Sequence, residues 1–187
     1  MEYNLTQHLK GLVYNMAVCN NEDSYKELFY LLFTPLFRLS LSMVRNREQA
    51  EEITNDVLFR LWQNRTELLE IENIKVYALK IARNLSLNCL RGNSKVRVIS
   101  LEYIQAEGNK NVLAPDQILI NNQNQKELQL SIKALPTRCK IVFKLIKEEG
   151  LSYKEVAEVL SISPKTVDAH LVTAMKKLSE SLKVKNI

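Results

Sequence analysis

Turn-forming residues are scarce in this chain, which has four glycines and four prolines among 187 residues. That scarcity excludes a collagen-like repeat, a low-complexity tail and an all-β protein with a turn about every ten residues. Apolar residues make up 46% of the chain, and a chain of this length can bury a core as one domain or as two small ones. We therefore predict a mostly helical protein.

Cysteine and histidine are also rare. Cys19, Cys89 and Cys139 form an odd and widely spaced set, which excludes a disulfide framework and a C-x-x-C zinc pattern. His8 and His170 are far apart in the sequence, so neither a metal site nor a catalytic histidine pair is expected. The sequence predicts no cofactor and a reducing, cytoplasmic compartment.

Features of membrane proteins and of common enzymes are missing too. The chain does not open on a signal-peptide apolar region. The most apolar stretch, residues 28–44, is shorter than the roughly 20 residues of a membrane span and contains Pro35 and Arg38. It is interpreted as a buried helix, not as a membrane insertion. No P-loop, H-E-x-x-H or nucleophile-elbow motif is present, so no enzyme activity is predicted for the chain itself.

The net charge of +5 comes entirely from the C-terminal third. Residues 126–187 hold 12 Lys and Arg against 7 Asp and Glu, whereas residues 1–92 hold 11 of each and residues 93–125 hold 3 of each. Within the first segment, residues 48–72 carry seven acids and two bases, and residues 73–101 carry six bases and no acid. This order indicates several partners of different charge, although any single run is also compatible with a solvated helix face.

Apolar periodicity divides the chain into two helical modules. It predicts helices over residues 5–20, 24–44, 46–64 and 74–91. Gly, Asn and Pro then interrupt the pattern until a helix resumes at about Asp116, and residues 96–104 could pair as a strand but have no evident partner. The predicted fold is all-α, with helical domains at residues 1–92 and 115–187 and a flexible linker at 93–114.

The two charged helices of the first module each present a polar side. The acidic side of helix 46–64 consists of Glu52, Asn55, Asp56, Phe59 and Gln63. A surface that only contacts solvent does not need the apolar ring of Phe59 in its middle. Helix 74–91 is predicted to bury Ile74, Ala78, Ile81, Leu85 and Cys89 and to point Arg83 directly outward. One flank of this helix carries a polar row of Tyr77, Lys80, Asn84, Asn88 and Arg91. Such a row can contact both phosphates and base edges. The alternative is a surface helix that merely happens to be basic.

Residues 136–178 carry the most specific pattern, that of a helix-turn-helix. Pro136 is predicted at the N1 position of a helix that ends at Gly150 and buries Cys139, Val142, Phe143 and Ile146. Ser152 and Glu155 form a capping box, and Ser163-Pro164 begin a last helix that buries Val167, Leu171, Ala174 and Leu178. The last helix of such a motif can lie in the DNA major groove, with a plain helical hairpin as the alternative.

Three stretches together resemble an extracytoplasmic-function (ECF) sigma factor of bacterial RNA polymerase. They are AEEITNDVLFRLW at residues 50–62, YALKIARNLSLNCLR at residues 77–91, and LPTR at 135–138 with GLSYKEVA at 150–157 and the helix-turn-helix. The resemblance covers about residues 8–182. The helix-turn-helix alone is also close to that of response regulators, whereas the first two stretches, in this order and ahead of it, are far more diagnostic.

The resemblance implies a function for each surface. The acidic residues Glu52, Asn55, Asp56, Phe59 and Gln63 would dock on the clamp helices of the polymerase β′ subunit. The −10 promoter element would be held by residues 64–73 and by Tyr77, Lys80, Arg83, Asn84, Asn88 and Arg91, with one non-template base flipped out. The −35 element would be read by Ser163, Lys165, Thr166, Asp168, His170 and Thr173. The second module would also contact the β flap, the linker would run near the active cleft, and an anti-sigma factor would be a further partner.

Two positions depart from the family pattern, and two other functions stay open. Gly92-Asn93-Ser94 stand where the family often has a dense arginine run, and Asp168 stands where a basic or neutral residue is frequent. An acid at 168 repels phosphate but can accept a hydrogen bond from cytosine N4. The alternatives are a DNA-binding regulator of the response-regulator kind, for which the preceding βα pattern is missing, and a polymerase-binding adaptor or inhibitor that does not recognise promoters.

Overall fold

The computed structural model describes residues 2–93 and 123–183, with side chains described for residues 5–92 and 128–181. These residues form helices and turns, without a strand among them, which confirms the all-α prediction. The chain divides into two compact units, Met1–Arg97 and Val98–Ile187. Most of the predicted linker, the helix start at Asp116 and the strand-like residues 96–104 lie outside the described residues.

The first unit contains four α-helices and one short 3₁₀ turn. The helices are α1 (Glu2–Val18), α2 (Glu22–Val44), α3 (Arg47–Gln63) and α4 (Ile74–Asn93), and the 3₁₀ turn is Glu67–Glu70. An asparagine begins each of the last three helices: the side-chain oxygens of Asn21, Asn46 and Asn73 accept hydrogen bonds from backbone N–H groups three residues later, at 3.0–3.1 Å. These caps satisfy N–H groups that a helix start leaves without partners.

Helix α2 is the centre of this unit and packs against α1, α3 and α4. Leu28, Leu32 and Leu36, one helical turn apart, are at most 1% exposed. Within the part of the chain that the structure describes, α2 is the one helix long and apolar enough to cross a membrane, and more than half of its apolar window is buried inside the unit. The prediction of a buried core helix is confirmed.

The second unit is built around the last helix. Its helices are α5 (Gln123–Lys133), α6 (Thr137–Lys147), α7 (Tyr153–Leu160) and α8 (Pro164–Lys183), and α8 packs against the other three. Gly150 reverses the chain after α6 with a φ of 73°, a value that favours glycine. As predicted, the apolar face of α8 is buried, with Val167, Leu171, Ala174 and Leu178 at most 7% exposed.

The start of α6 and half of its predicted buried face differ from the prediction, whereas Cys139 and Val142 are buried as predicted. Pro136 is the N-cap of α6, with extended backbone (φ −51°, ψ 141°), and Thr137 is the first helical residue. Phe143 and Ile146 are half-buried, because α6 packs against both α7 and α8 and its buried arc therefore shifts towards the two neighbours. The residues that α6 buries are Cys139, Ile141, Val142 and Leu145.

Candidate nucleic-acid and protein interfaces

The acidic side of α3 is exposed as predicted. Glu52, Asn55, Asp56 and Gln63 are all accessible to solvent, and Phe59 among them is 54% exposed. The opposite side seats Ala50, Ile53, Val57 and Leu61 in the core, at most 7% exposed. This surface therefore combines negative charge, amide groups and one apolar ring, which suits a basic protein surface with an apolar pocket.

An aromatic row on α2 was not predicted from the sequence. Tyr25, Phe29, Phe33 and Phe37 of α2 are spaced by four residues, and neighbouring rings in this row lie 5.5–6.4 Å apart between centroids. Tyr25 also packs against Trp62 of α3 at 5.0 Å. The i, i+4 spacing of four aromatic residues is the signal that could have revealed this row.

The polar row of α4 faces outward. Asn84, Asn88 and Arg91 are exposed, while Tyr77 and Lys80 are half-buried. A helix face with amide, cationic and phenolic groups in this order can donate to phosphates and pair with base edges. The sequence analysis placed this row on one flank of the helix. In the structure it forms the middle of the exposed face.

The prediction that Arg83 points directly outward is wrong. Arg83 is half-buried, and its Nη1 donates a hydrogen bond to Asn84 Oδ1 at 2.9 Å. Burial, and secondarily the positive charge of Arg91, lower the pKa of Arg83 from its ordinary value, although a guanidinium stays protonated. Arg83 therefore orients the Asn84 amide within the polar row.

The buried face of α4 matches the prediction only in part: Ile74 and Ala78 are at most 1% exposed, as predicted. Leu79, Ala82 and Ser86 are fully buried, whereas the predicted core residues Ile81 and Leu85 are half-buried, as is Cys89. The reason is that α4 packs against α1, α2 and α3, so its buried arc is wide and is centred between these neighbours. The sequence alone does not show from how many sides a helix is covered.

The helix-turn-helix of the second unit has the predicted caps. Ser152 and Glu155 form a capping box, in which Glu155 Oε2 accepts from Ser152 N at 2.8 Å and Ser152 Oγ accepts from Glu155 N at 3.3 Å. Ser163 Oγ accepts from Thr166 N at 3.0 Å and lies 2.8 Å from Thr166 Oγ1. Both helices of the motif therefore begin at fixed residues.

The candidate DNA-reading residues at the start of α8 and along it differ in exposure. Ser163, Lys165, Asp168 and Thr173 are exposed, and Thr166 is half-buried. Thr173 Oγ1 donates to Ala169 O at 2.8 Å, which leaves its oxygen lone pairs as acceptors. The exposed N-terminal turns of α8 thus offer one cation, one carboxylate and hydroxyl groups.

His170 lies on the part of α8 that borders α6. Its ring is half-buried, its Nδ1 lies 3.9 Å from Cys139 Sγ, and it lines a cavity of about 50 Å³ together with Arg138 and Thr166. Burial, and secondarily the charge of Arg138, lower the pKa of His170. The ring of His170 therefore packs partly against α6, and its contact with the −35 element stays a prediction.

The cysteines and histidines are not gathered into a metal centre. Within residues 2–93 and 123–183, no group of three or more His, Cys, Asp and Glu side chains could hold a metal ion. Cys19 is exposed, Cys89 is intermediate and Cys139 is buried. Burial raises the pKa of the Cys89 and Cys139 thiols, and nearby Glu52 contributes to the shift at Cys89.

Two family models match this chain, one in each unit. A model described as "Sigma-70 region 2" matches residues 32–96, and a model described as "Sigma-70, region 4" matches residues 125–178. The "RNA polymerase sigma factor SigV" of Bacillus subtilis is 25% identical over 142 residues, which cover 75% of this chain and 80% of SigV. The "ECF RNA polymerase sigma factor SigX" of the same organism is 20% identical over 168 residues, which cover 87% of this chain and 86% of SigX.

Two solved structures share the fold. The sigma factor RpoE of Bartonella quintana, in a co-crystal with the anti-sigma factor NepR, aligns with a TM-score of 0.63 at 20% identity, over 86% of this chain and 97% of that one. CnrH, in complex with the cytosolic domain of CnrY, aligns with a TM-score of 0.60 at 17% identity, over 95% of this chain and 98% of that one.

Proposed function

This chain belongs to the ECF group of the sigma-70 family, and we propose that it binds core RNA polymerase and directs promoter-specific transcription initiation through −10 and −35 elements. The observation that supports this most directly is the pairing of two exposed surfaces in the first unit. One is the acidic α3 surface with Phe59, and the other is the polar row of α4. A free-standing DNA-binding regulator has no need for the first surface.

We propose that the α3 surface docks on the basic clamp helices of the polymerase β′ subunit. Glu52 and Asp56 supply the charge that steers this association, and Phe59 supplies an apolar anchor at its centre. Asn55 and Gln63 provide hydrogen-bonding groups at either side. Exposure of all five side chains in the free protein means that docking requires no rearrangement of the helix.

The α4 row is proposed to hold the non-template strand of the −10 element. Extraction of one base from the duplex costs a few kcal/mol, which contacts to the flipped base and to the backbone must offset. Lys80 and Arg91 are the cations for the backbone, and Asn84 and Asn88 are the amides that can meet base edges. Tyr77, half-buried, offers a ring at the start of the row, and Arg83 orients Asn84.

The start of α8 is proposed to read the −35 element in the major groove. Lys165 contacts phosphate, and Asp168 accepts from a cytosine N4 amino group, which contributes specificity at the expense of affinity. Ser163 and Thr166 share a hydrogen bond at the helix start and present their hydroxyls together. Residues 1–92 thus serve the polymerase and the −10 element, residues 115–187 serve the −35 element and the β flap, and residues 93–114 link them.

The same proposal covers the other partners. The chain needs no cofactor and catalyses no step itself, since RNA synthesis belongs to the polymerase, and it acts in the cytoplasm. An anti-sigma protein is a further proposed partner, because RpoE and CnrH, which share the fold, are each described in complex with such a protein or its cytosolic domain. It would cover the acidic α3 surface.

Co-elution with purified bacterial core RNA polymerase at moderate salt tests the proposal. The wild-type protein is expected to elute at one copy per polymerase, and the doubly charge-reversed variant Glu52→Lys, Asp56→Lys is expected to elute alone. A matched control, Glu22→Lys with Glu27→Lys, makes the same change of net charge at exposed positions of α2 and should still co-elute. Wild-type protein that runs alone would replace the sigma-factor proposal by a free-standing DNA-binding regulator.

A further inference from the structure

Arg65 connects two loops that lie far apart in the sequence. It stands in the α3–α4 connection, residues 64–73, and its Nη2 donates to Oδ1 of Asn20, in the α1–α2 turn, at 3.0 Å. Its Nη1 donates to Trp62 O, at the end of α3, at 3.1 Å, and its guanidinium lies 4.6 Å from the centre of the Trp62 ring. One side chain therefore joins the α1–α2 turn, the end of α3 and the connection.

The rest of the α3–α4 connection is held at its ends and at one point in the middle. Leu68 is 2% exposed and seats the 3₁₀ turn in the core, and Asn73 caps α4. Backbone N–H groups of Glu67 and Ile71 donate to Asn64 O and Leu68 O. Between these anchors the outer residues of the connection are exposed, so the orientation of its first turn depends on what holds residues 64–66.

The charge of the connection is unsuited to holding DNA by attraction alone. Glu67, Glu70 and Glu72 are all exposed, and Arg65 is the one cation between residues 64 and 73. The hydrogen bonds of its Nη1 and Nη2 both go to groups of the protein. A surface of this kind repels phosphates, so binding of an unpaired base to it must rely on shape and on hydrogen bonds in fixed positions.

We propose that Arg65 is a positioning residue that holds the α3–α4 connection in the conformation that receives the unpaired −10 base. This inference rests on the proposed function, in which residues 64–73 and the α4 row engage the −10 element. A connection that is already ordered loses less conformational entropy when the base enters, so base capture is stronger. Arg65 itself need not touch DNA.

The groups around Arg65 suit this role and explain why lysine would not replace it fully. A planar guanidinium can donate in two directions while it stacks on an indole ring, whereas an ammonium is a single point charge. Trp62 is in turn fixed by Tyr25, at 5.0 Å. Asn20 has a left-handed φ of 51°, which aspartate and glycine also tolerate, so its acceptor can be kept or removed without change of the turn.

Amide hydrogen exchange of the free full-length protein is the first test. Arg65→Ala should speed exchange at the amides of Glu67, Leu68 and Ile71 at least fivefold, with the interior of α3 and α4 unchanged. Asn20→Gly, which removes the acceptor, should act in the same direction, and Asn20→Asp, which keeps it, should retain the protection. Arg47→Ala is the matched control, because Arg47 forms an exposed pair with Glu51 at 3.1 Å. Wild-type exchange rates in Arg65→Ala would overturn the proposal, whatever the protein does with DNA.

Base capture by the reconstituted holoenzyme is the second test. The probe is a single-stranded oligonucleotide of the non-template −10 region from a promoter mapped with the wild-type holoenzyme. Arg65→Ala should weaken its binding at least tenfold, Arg65→Lys should weaken it less, and affinity for core polymerase should stay within twofold. Faster amide exchange in Arg65→Ala with unchanged oligonucleotide binding would overturn the positioning role. So would a loss of polymerase affinity, in Arg65→Ala and Asn20→Gly, as large as the loss of oligonucleotide affinity. If wild-type holoenzyme captured no promoter strand, the proposed function would fail, and the exchange rates would still decide whether Arg65 holds the connection.

Discussion

Ser40 is a buried hydroxyl in the core helix of the first unit. It is 0% exposed, and among the described residues its Oγ has no hydrogen-bond partner. A buried hydroxyl without a partner costs about 1–3 kcal/mol, and alanine is the better helix former. We therefore expect Ser40→Ala to raise the free energy of unfolding by about 1 kcal/mol in chemical denaturation.

Ser86→Ala is the control for this prediction. Ser86 is equally buried in α4, but its Oγ donates to Ala82 O at 2.8 Å. Its replacement removes a satisfied hydroxyl and should give a clearly smaller gain or a loss. Equal stabilisation by both variants would show that helix propensity, and not the missing partner of Ser40, sets the effect.

His170 gives the second unit a predicted dependence on pH. Its pKa in the folded protein is lowered by burial and by Arg138, so as pH falls through about 6.5 the unfolded chain takes up a proton before the folded one does. Stability should therefore be full above pH 7 and should decrease towards pH 5.5. We expect a lower Tm at pH 5.5 than at pH 7.5, and a smaller difference in His170→Gln. If His170→Gln kept the full difference, another group would be responsible.

Helix α7 shows how much a short element depends on its first residue. It has eight residues, too few to be stable alone, and its N-terminus is fixed by the Ser152–Glu155 capping box. Ser152→Ala should lower the free energy of unfolding of the second unit by about 1 kcal/mol. It should also weaken binding to −35 duplex DNA, because α7 packs against α8. Thermal unfolding and a DNA titration measure the two effects; Ser179→Ala, exposed in α8, is the control.

The helices also show which features can be predicted from sequence. The two faces of α3 and the buried stripe of α8 follow from periodicity, because each presents one wide polar side to solvent, and the caps at Ser152 and Ser163 follow from local chemistry. The predicted buried faces of α4 and α6 are partly wrong, because more than one neighbouring helix covers each of them. How many helices cover a given helix is decided by tertiary packing and has no local signal in the sequence. The contact of Arg65 with Asn20 spans 45 residues and has no local signal.

At the scale of the whole molecule, charge is divided between partners. The acidic residues cluster on α3 and in the α3–α4 connection, while residues 126–187 carry the excess of Lys and Arg. An acidic surface on a protein that binds DNA would weaken that binding unless another macromolecule covers it. This division suits the proposed function, in which the chain binds a basic polymerase surface and a nucleic acid in the same complex.

The final prediction separates polymerase binding from promoter opening in the intact protein. The variant Lys80→Ala, Asn88→Ala, Arg91→Ala changes the exposed row of α4 and leaves Arg83, which is half-buried, in place. It should bind core polymerase as the wild type does but fail to open a duplex promoter. For binding of the −10 single strand, each of the two lost cations should reduce the slope of log affinity against log salt concentration by about 0.7. Lys10→Ala with Lys26→Ala, exposed on α1 and α2, removes the same charge and should leave initiation intact. Abortive-transcript synthesis and permanganate footprinting measure the outcome. Wild-type opening by the α4 variant would leave a polymerase-binding adaptor as the better account, since the −10 surface would then carry no promoter contact.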